Sequence, residues 1–179
     1  MKTRLIILGA LHRGDLHPYE IKRRLQAAMV ECYLDVDVGT LYYAIRQLEK
    51  DGSIVAAAQE RVARGGVRTI YRITPKGRAV FQESFFRQFE ADGPVSQTLY
   101  GALLFFHCVD RTALIAAIRR KIARLDDLIA KLPPIRDGMA PILTTGTDHL
   151  FRHIEAQRRL DRSWLEGLLA DIEAEPPTA

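Results

Sequence analysis

The 179-residue sequence holds only two cysteines, Cys32 and Cys108, one in each half. Two thiols so placed build no disulfide framework, and free thiols in a reducing compartment are the expectation. Long apolar runs are missing too. The longest, LYGALLFF at Leu99–Phe106, falls far short of the ~20 residues needed to cross a bilayer. The opening MKTRLIILGAL imitates a signal peptide, but its apolar run spans only Leu5 to Leu11. His12, Arg13 and Asp15 then stand where small residues would be needed for cleavage. The sequence therefore reads as cytoplasmic, with no membrane partner.

Catalytic motifs are equally scarce. There is no G-x-S-x-G, no phosphate-binding P-loop and no cysteine paired convincingly with a histidine. His149 and His153 lie four apart, and His107-Cys108 offers two further donors. Yet Leu150 sits where an HExxH helix needs its glutamate. No catalytic residue, metal ligand or cofactor is assigned, and an enzyme is not expected.

Charge is present but uneven. Residues 1–90 carry 15 Lys and Arg against 10 Asp and Glu, whereas residues 91–179 carry 11 against 12. A basic first half beside a near-neutral second half suggests a polyanion partner at one end only, although an excess of five is modest.

Apolar periodicity predicts a first helix over residues 3–11, ended by Gly14-Asp15. A second, PYEIKRRLQAAM, opens on Pro18 and places Ile21, Leu25 and Met29 four apart. Residues 30–37 read as a loop. A third helix is expected from near Val38 to Gly52, a C-cap glycine. SIVAAAQE and VRTIYRIT are strand-like, with Thr69, Tyr71 and Ile73 on one face and a Gly65-Gly66 turn between the runs. Thr74-Pro75 has the form of an N-cap and first-turn proline opening a fourth helix, which carries Phe81, Phe85 and Phe89. Helix-turn-helix with a wing is the physical reading of this order.

On a helical wheel Leu41, Ile45 and Leu48 fall within about 60° and mark the buried face of the third helix. Gly39, Tyr43, Arg46, Gln47 and Lys50 lie opposite, with Tyr42 and Thr40 on the flanks. Phenol, guanidinium and amide groups read base edges or bind phosphates, and a helix N-terminus attracts phosphate. An ordinary solvated face is the competing reading. The adjoining hairpin adds Arg61, Arg64 and Arg68, suited to backbone contact in a neighbouring groove. Tyr19 and Lys22 on the second helix are candidates for phosphate contact.

With ILGAL (7–11), LHPYEI (16–21), GTLYYAIRQLEKDG (39–52) and YRITPKGRA (71–79), the first half resembles the PadR family of transcriptional regulators. The resemblance implies a dimeric winged-helix DNA-binding protein. It also implies that Thr40, Tyr42, Tyr43 and Arg46 belong to the recognition helix and that Tyr19 contacts the DNA backbone. Two positions depart from the family pattern: Pro18 stands where glycine is usual, and Tyr43 where proline is common. The second half resembles the family's larger helical C-terminal type, chiefly through SWLEGLL (163–169).

Asp92-Gly93-Pro94 is the expected boundary, followed by an apolar helix over Gln97–Phe106. Asp110 caps another helix, in which Leu114, Ile118, Ile122, Leu125, Ile129 and Leu132 form a coiled-coil-like seam. Pro133-Pro134 is expected to stop it, with a loop over 135–147 and a last helix starting at or beside Asp148. The seam, with Trp164 and Leu168, reads as a dimerisation element; packing within one chain is the alternative. Trp164 is a candidate for an effector pocket, core or interface.

The fold class expected is mainly α with a small β-hairpin: a winged helix-turn-helix domain at 1–92 and an α-helical dimerisation and effector domain at 93–179. The expected function is a homodimeric regulator, a repressor by preference, on a double-stranded DNA operator and open to release by a small-molecule effector. The alternative is a ligand-sensing or protein-interaction module that uses the scaffold without binding DNA.

Overall fold

The computed structural model describes residues 2–27, 34, 40–61 and 67–176. It divides into two compact units, residues 1–91 with 96–109, and residues 92–95 with 110–179.

In the first unit, α1 (Lys2–Leu11) is the hub, with Leu5, Ile6, Ile7, Leu8 and Leu11 all buried. Around it stand α2 (Pro18–Ala27), α3 (Leu41–Lys50), the antiparallel strands β1 (Ile54–Arg61) and β2 (Val67–Ile73), and α4 (Pro75–Glu90). Leu41, Ala44, Ile45 and Leu48 are the buried residues of α3, so the stripe expected from spacing is the one used. Helix α3 is described from Leu41 onward, and the expected start near Val38 falls on residues that are not described. Val38 and Gly39 lie outside the described residues, as do the Arg64 and Gly65-Gly66 turn positions and nearly all of the 30–37 loop. The hairpin carries a bulge between Ala56 and Ala58, and Leu16 adds a short antiparallel bridge to Tyr71.

The junction between wing and α4 follows from its chemistry. Thr74 caps α4 by accepting from the Gly77 amide at 3.0 Å, and Pro75 takes the first turn, where no amide donor is needed. The Thr74 hydroxyl donates to the carbonyls of Gly52 and Ser53, at 2.8 and 3.0 Å, and its amide donates to Ser53 at 3.1 Å. Gly77 lies directly over that strand start: a Cβ there would stand 2.0 Å from the Ser53 carbonyl oxygen.

The boundary differs from the expected 92/93 division. Residues 96–109 cluster with the first unit, because Leu99, Ala102 and Phe105 are buried and the Phe105 ring rests on Gly9 of α1. This segment is also broken. It forms α5 (Val95–Thr98), α6 (Tyr100–Leu103) and a 3₁₀ turn at Phe106–Cys108 in place of one helix over 97–106.

The second unit is a long antiparallel pair, α7 (Arg111–Gly138) and α8 (Thr145–Ala174). Asp110 caps α7 as expected, accepting from the Ala113 amide at 2.8 Å. Pro133-Pro134 does not stop α7, which runs through both prolines to Gly138. Two adjacent residues without N–H leave two ladder bonds unmade, but their side chains are exposed and the helix resumes beyond them. The expected 135–147 loop thus shrinks to a 3₁₀ turn at Ala140–Ile142 and a few residues beside it. Helix α8 starts at Thr145, three residues before Asp148, because the Thr144 hydroxyl caps it through the Thr147 amide.

At one end of the pair the Arg111 guanidinium donates to the carbonyls of Ile172, Glu173 and Glu175, at 2.5, 3.3 and 2.6 Å. A cation there also suits the negative end of α8. At the other end Arg136 and Arg152 pair with Asp148. Burial opposes ionisation of Asp148, but these two guanidiniums hold its carboxyl below the usual range. Among the described residues no helix is long and apolar enough to cross a membrane.

Gly77→Ala is expected to lower unfolding free energy by about 1–3 kcal/mol, the range for overpacking a filled site. Gly138→Ala, with open space around its would-be Cβ, is expected to be neutral or slightly stabilising. Urea denaturation of the two variants measures the contrast.

Candidate nucleic-acid interface

Burying one face of α3 aims the opposite face outward. Tyr43 is 68% exposed and Tyr42 45%, and Arg46 is exposed beside them. The two adjacent phenols thus resolve into an outward ring and a flanking one, as expected for neighbours about 100° apart on a helix. Thr40 precedes α3 in helical dihedrals, and its side chain makes no cap bond to the first turn.

Beside this face lies a concavity of about 390 Å³ lined by Thr3, Arg4, Thr40, Tyr43, Ala44 and Gln47. Thr3 and Arg4 are a contribution that sequence reasoning missed. The stripe of α1 identifies its core face, and nothing in the spacing tells which neighbour its first turn meets. Arg4 is itself committed to Asp51 at the end of α3.

On α2, Tyr19 is 55% exposed and Lys22 half-buried. The Tyr19 amide donates to Nδ1 of His17 at 3.0 Å, which steadies the entry to the helix. Arg23 and Arg24 both lean on Glu20, at 3.1 and 3.7 Å. Arg68 opens β2 opposite Glu60, and its charge reaches His17: burial first, then Arg68, lowers the pKa of that imidazole. The start of β2 and the start of α2 are therefore electrostatic neighbours. Gly39 and Arg64 lie outside the described residues.

Tyr71 is occupied internally. Its hydroxyl donates to Glu49 at 3.1 Å, and burial, then Glu49, pushes its pKa up. Arg46 acts electrostatically on the same phenol, which puts the guanidinium on the side of α3 that faces the wing. Asp15 accepts two bonds from Arg72, at 3.0 and 2.6 Å, and pins the turn after α1 to β2. The structure thus gathers Tyr42, Tyr43 and Arg46 on α3 with Thr40 at its start, Tyr19 and Lys22 on the adjoining α2, and Arg68 on β2, which packs against α2 and pairs with β1.

The residues named for dimerisation divide into two sets. Leu114, Ile118 and Leu125 are already buried within one chain, where α7 packs on α8; Ile122, Ile129 and Leu168 are half-buried. Trp164 is 42% exposed and Leu160 66%, both on α8. A cavity of about 190 Å³ in the second unit is lined by Gly93, Pro94, His153, Ile154, Gln157, Arg158 and Asp161; Trp164 is not part of it. Among the described residues no group of three or more His, Cys, Asp or Glu is placed to hold a metal ion.

Residues 7–83 match the family model described as Transcriptional regulator PadR-like family. The transcriptional regulator Rv3488 of Mycobacterium tuberculosis is 46% identical over 48 residues, which span 27% of this chain and 43% of that protein. Among solved structures, Bacillus subtilis PadR in complex with operator DNA is similar at 17% identity and a TM-score of 0.43, over 94% of this chain and 98% of that one. The PadR-like regulator BC1756 of Bacillus cereus is similar at 23% identity and a TM-score of 0.40, over 97% and 99%. Residues 7–83, which run from α1 through the wing into α4, are thus similar to the PadR-like family of transcriptional regulators.

Proposed function

We propose that this chain is a DNA-binding transcriptional regulator of the cytoplasm, a repressor that acts as a homodimer. The observation that carries the reading is the outward face of α3, where Tyr43 and Arg46 project beside Tyr42 while Leu41, Ile45 and Leu48 anchor the helix. An α-helix fits the major groove, and this face offers a bidentate donor and a phenol to base edges or phosphates. Tyr19, Lys22 and Thr40 serve as phosphate contacts and Arg68 of β2 rests on flanking DNA; Gly39 and Arg64 are assigned to the same roles from the sequence alone. Two reading heads in a dimer would address half-sites one helical turn or more apart.

The dimer contact proposed here uses Trp164 with Leu160 on α8, together with the half-buried Ile122, Ile129 and Leu168. Leu114, Ile118 and Leu125 support it from inside, as the core on which α8 rests. A large exposed aromatic on a helix face is the residue type that anchors interfaces. The cavity beside Gly93 and Pro94 is the proposed place for a small-molecule effector, since it adjoins the linker that leads from one unit to the other. The same cavity favours the second reading, a ligand-sensing module that does not bind DNA.

Titrating labelled DNA from upstream of the protein's own gene, at two salt concentrations, separates these readings. Arg46→Ala is expected to weaken specific binding by about 1–3 kcal/mol if it reads a base, or to reduce the salt slope by about one if it holds a phosphate. Unchanged affinity and slope would remove α3 from the interface. Absence of any salt-sensitive shift with wild-type protein would favour the second reading.

Trp164→Glu is expected to shift the protein from dimer to monomer in sedimentation velocity at micromolar concentration, with helical circular dichroism retained. A dimer that survives this change places the contact elsewhere.

A further inference from the structure

We infer that acid releases the 106–109 segment from the first unit: Arg13, just after α1, holds His107 of that segment, and Arg78 of α4 holds the neighbouring His12, only while both imidazoles are neutral. The geometry requires neutrality twice. Nδ1 of His12 lies 3.1 Å from a guanidinium nitrogen of Arg78, and Nε of Arg13 donates to Nε2 of His107 at 2.9 Å. A guanidinium has donors and no acceptor, so each imidazole nitrogen must offer its lone pair. The His12 proton then sits on Nε2, which is buried with no partner, while its ring packs on Phe81 at 4.5 Å between centroids. Protonating either imidazole turns an N–H···N bond into two N–H groups facing each other.

Among the described residues no carboxylate is bonded so as to offset that charge. The carboxylates closest in sequence are engaged elsewhere: Asp15 with Arg72, Glu83 with Arg87, and Asp110 with the Ala113 amide. No carboxylate hydrogen-bonds or ion-pairs with any of the four groups among the described residues. Cys108 lies within the field of Arg13 and Arg78, but burial pushes its thiol up, so it stays protonated and brings no negative charge. Burial, then Arg78 and His107, lowers the pKa of His12; burial, then Arg13, lowers that of His107. Both folded-state values therefore lie below the ordinary 6.5. Stability from this contact is complete above about pH 6.5 and is lost as the pH falls below it.

The contact matters because of where the segment leads. Phe105 is seated on Gly9 and meets Phe81 edge-on at 6.3 Å, and the chain passes from Val109 through Asp110 directly into α7. Freeing residues 106–109 therefore frees the stretch of chain that runs directly into α7.

Hydrogen exchange of the full chain at pH 7.5 and 5.5, corrected for intrinsic rates, tests this. In wild type, protection of a peptide over 104–109, which holds the Phe105 and Cys108 amide bonds, is expected to fall about threefold or more at pH 5.5 relative to peptides from mid-α8. His12→Asn with His107→Gln replaces each imidazole acceptor by an amide oxygen that gains no proton, and is expected to abolish that difference. Should the double variant fail to fold, His107→Gln alone is expected to reduce it. Equal protection at both pH values in wild type, or an undiminished fall in the variants, overturns the inference.

Discussion

The backbone of one residue, Ser53, is where α3, the wing and α4 meet. Its amide donates to the Leu48 carbonyl at 2.8 Å and to the Asp51 carboxylate at 3.0 Å, which closes the end of α3. Its carbonyl accepts from the amide and hydroxyl of Thr74, so the last residue of the wing is bound to the first. Gly77 then lays the opening turn of α4 over it. Asp51 adds α1 and a second link to α4: its carboxylate pairs with Arg4 of α1, and its carbonyl accepts from Lys76 of α4. Burial opposes ionisation of Asp51, yet its bonds with Ser53 and Arg4 hold its carboxyl below the usual range. The angle at which α3 leaves the core is therefore set at its far end, away from the tyrosines that face outward.

This division of labour explains why a compact motif looks functional without touching a ligand. KDGS and ITPKG join the helix that projects to the hairpin and to α4. The side chains offered outward, Tyr43, Arg46 and Tyr19, come from the intervals between such anchors. Positions that need one residue type for steric reasons, such as Gly77 and Thr74, carry the recognisable pattern, and the outward side chains take no part in these bonds.

Legibility in the sequence followed the range of the interaction. The stripe of α3, the Asp110 cap and the Thr74-Pro75 start are local, set by residues within one or two turns, and they stand as the spacing implies. Interactions across long separations were not legible. The Leu16 bridge to Tyr71, the Arg4 pair with Asp51 and the seating of Phe105 on Gly9 join residues 47 or more positions apart. That last contact draws 96–109 into the first unit although Asp92-Gly93-Pro94 looks like a clean division. The prolines misled for another reason: a missing donor is a modest local loss, and a helix with a partner along its length tolerates it. On the outward face of α3, composition named the candidates, but only the packing of α1 settled which of them border a concavity.

The unbroken passage of α7 through Pro133 and Pro134 leaves the carbonyls of Ile129 and Ala130 without their usual ladder donors. Below that point α7 is fastened to the end of α8 by Arg111; above it, Arg136 fastens the remaining turn to Asp148. Bending costs least between two such fastenings. The prolines thus mark where α7 is least held by its own backbone bonds, and beyond them Ile135 and Ile142 lie exposed.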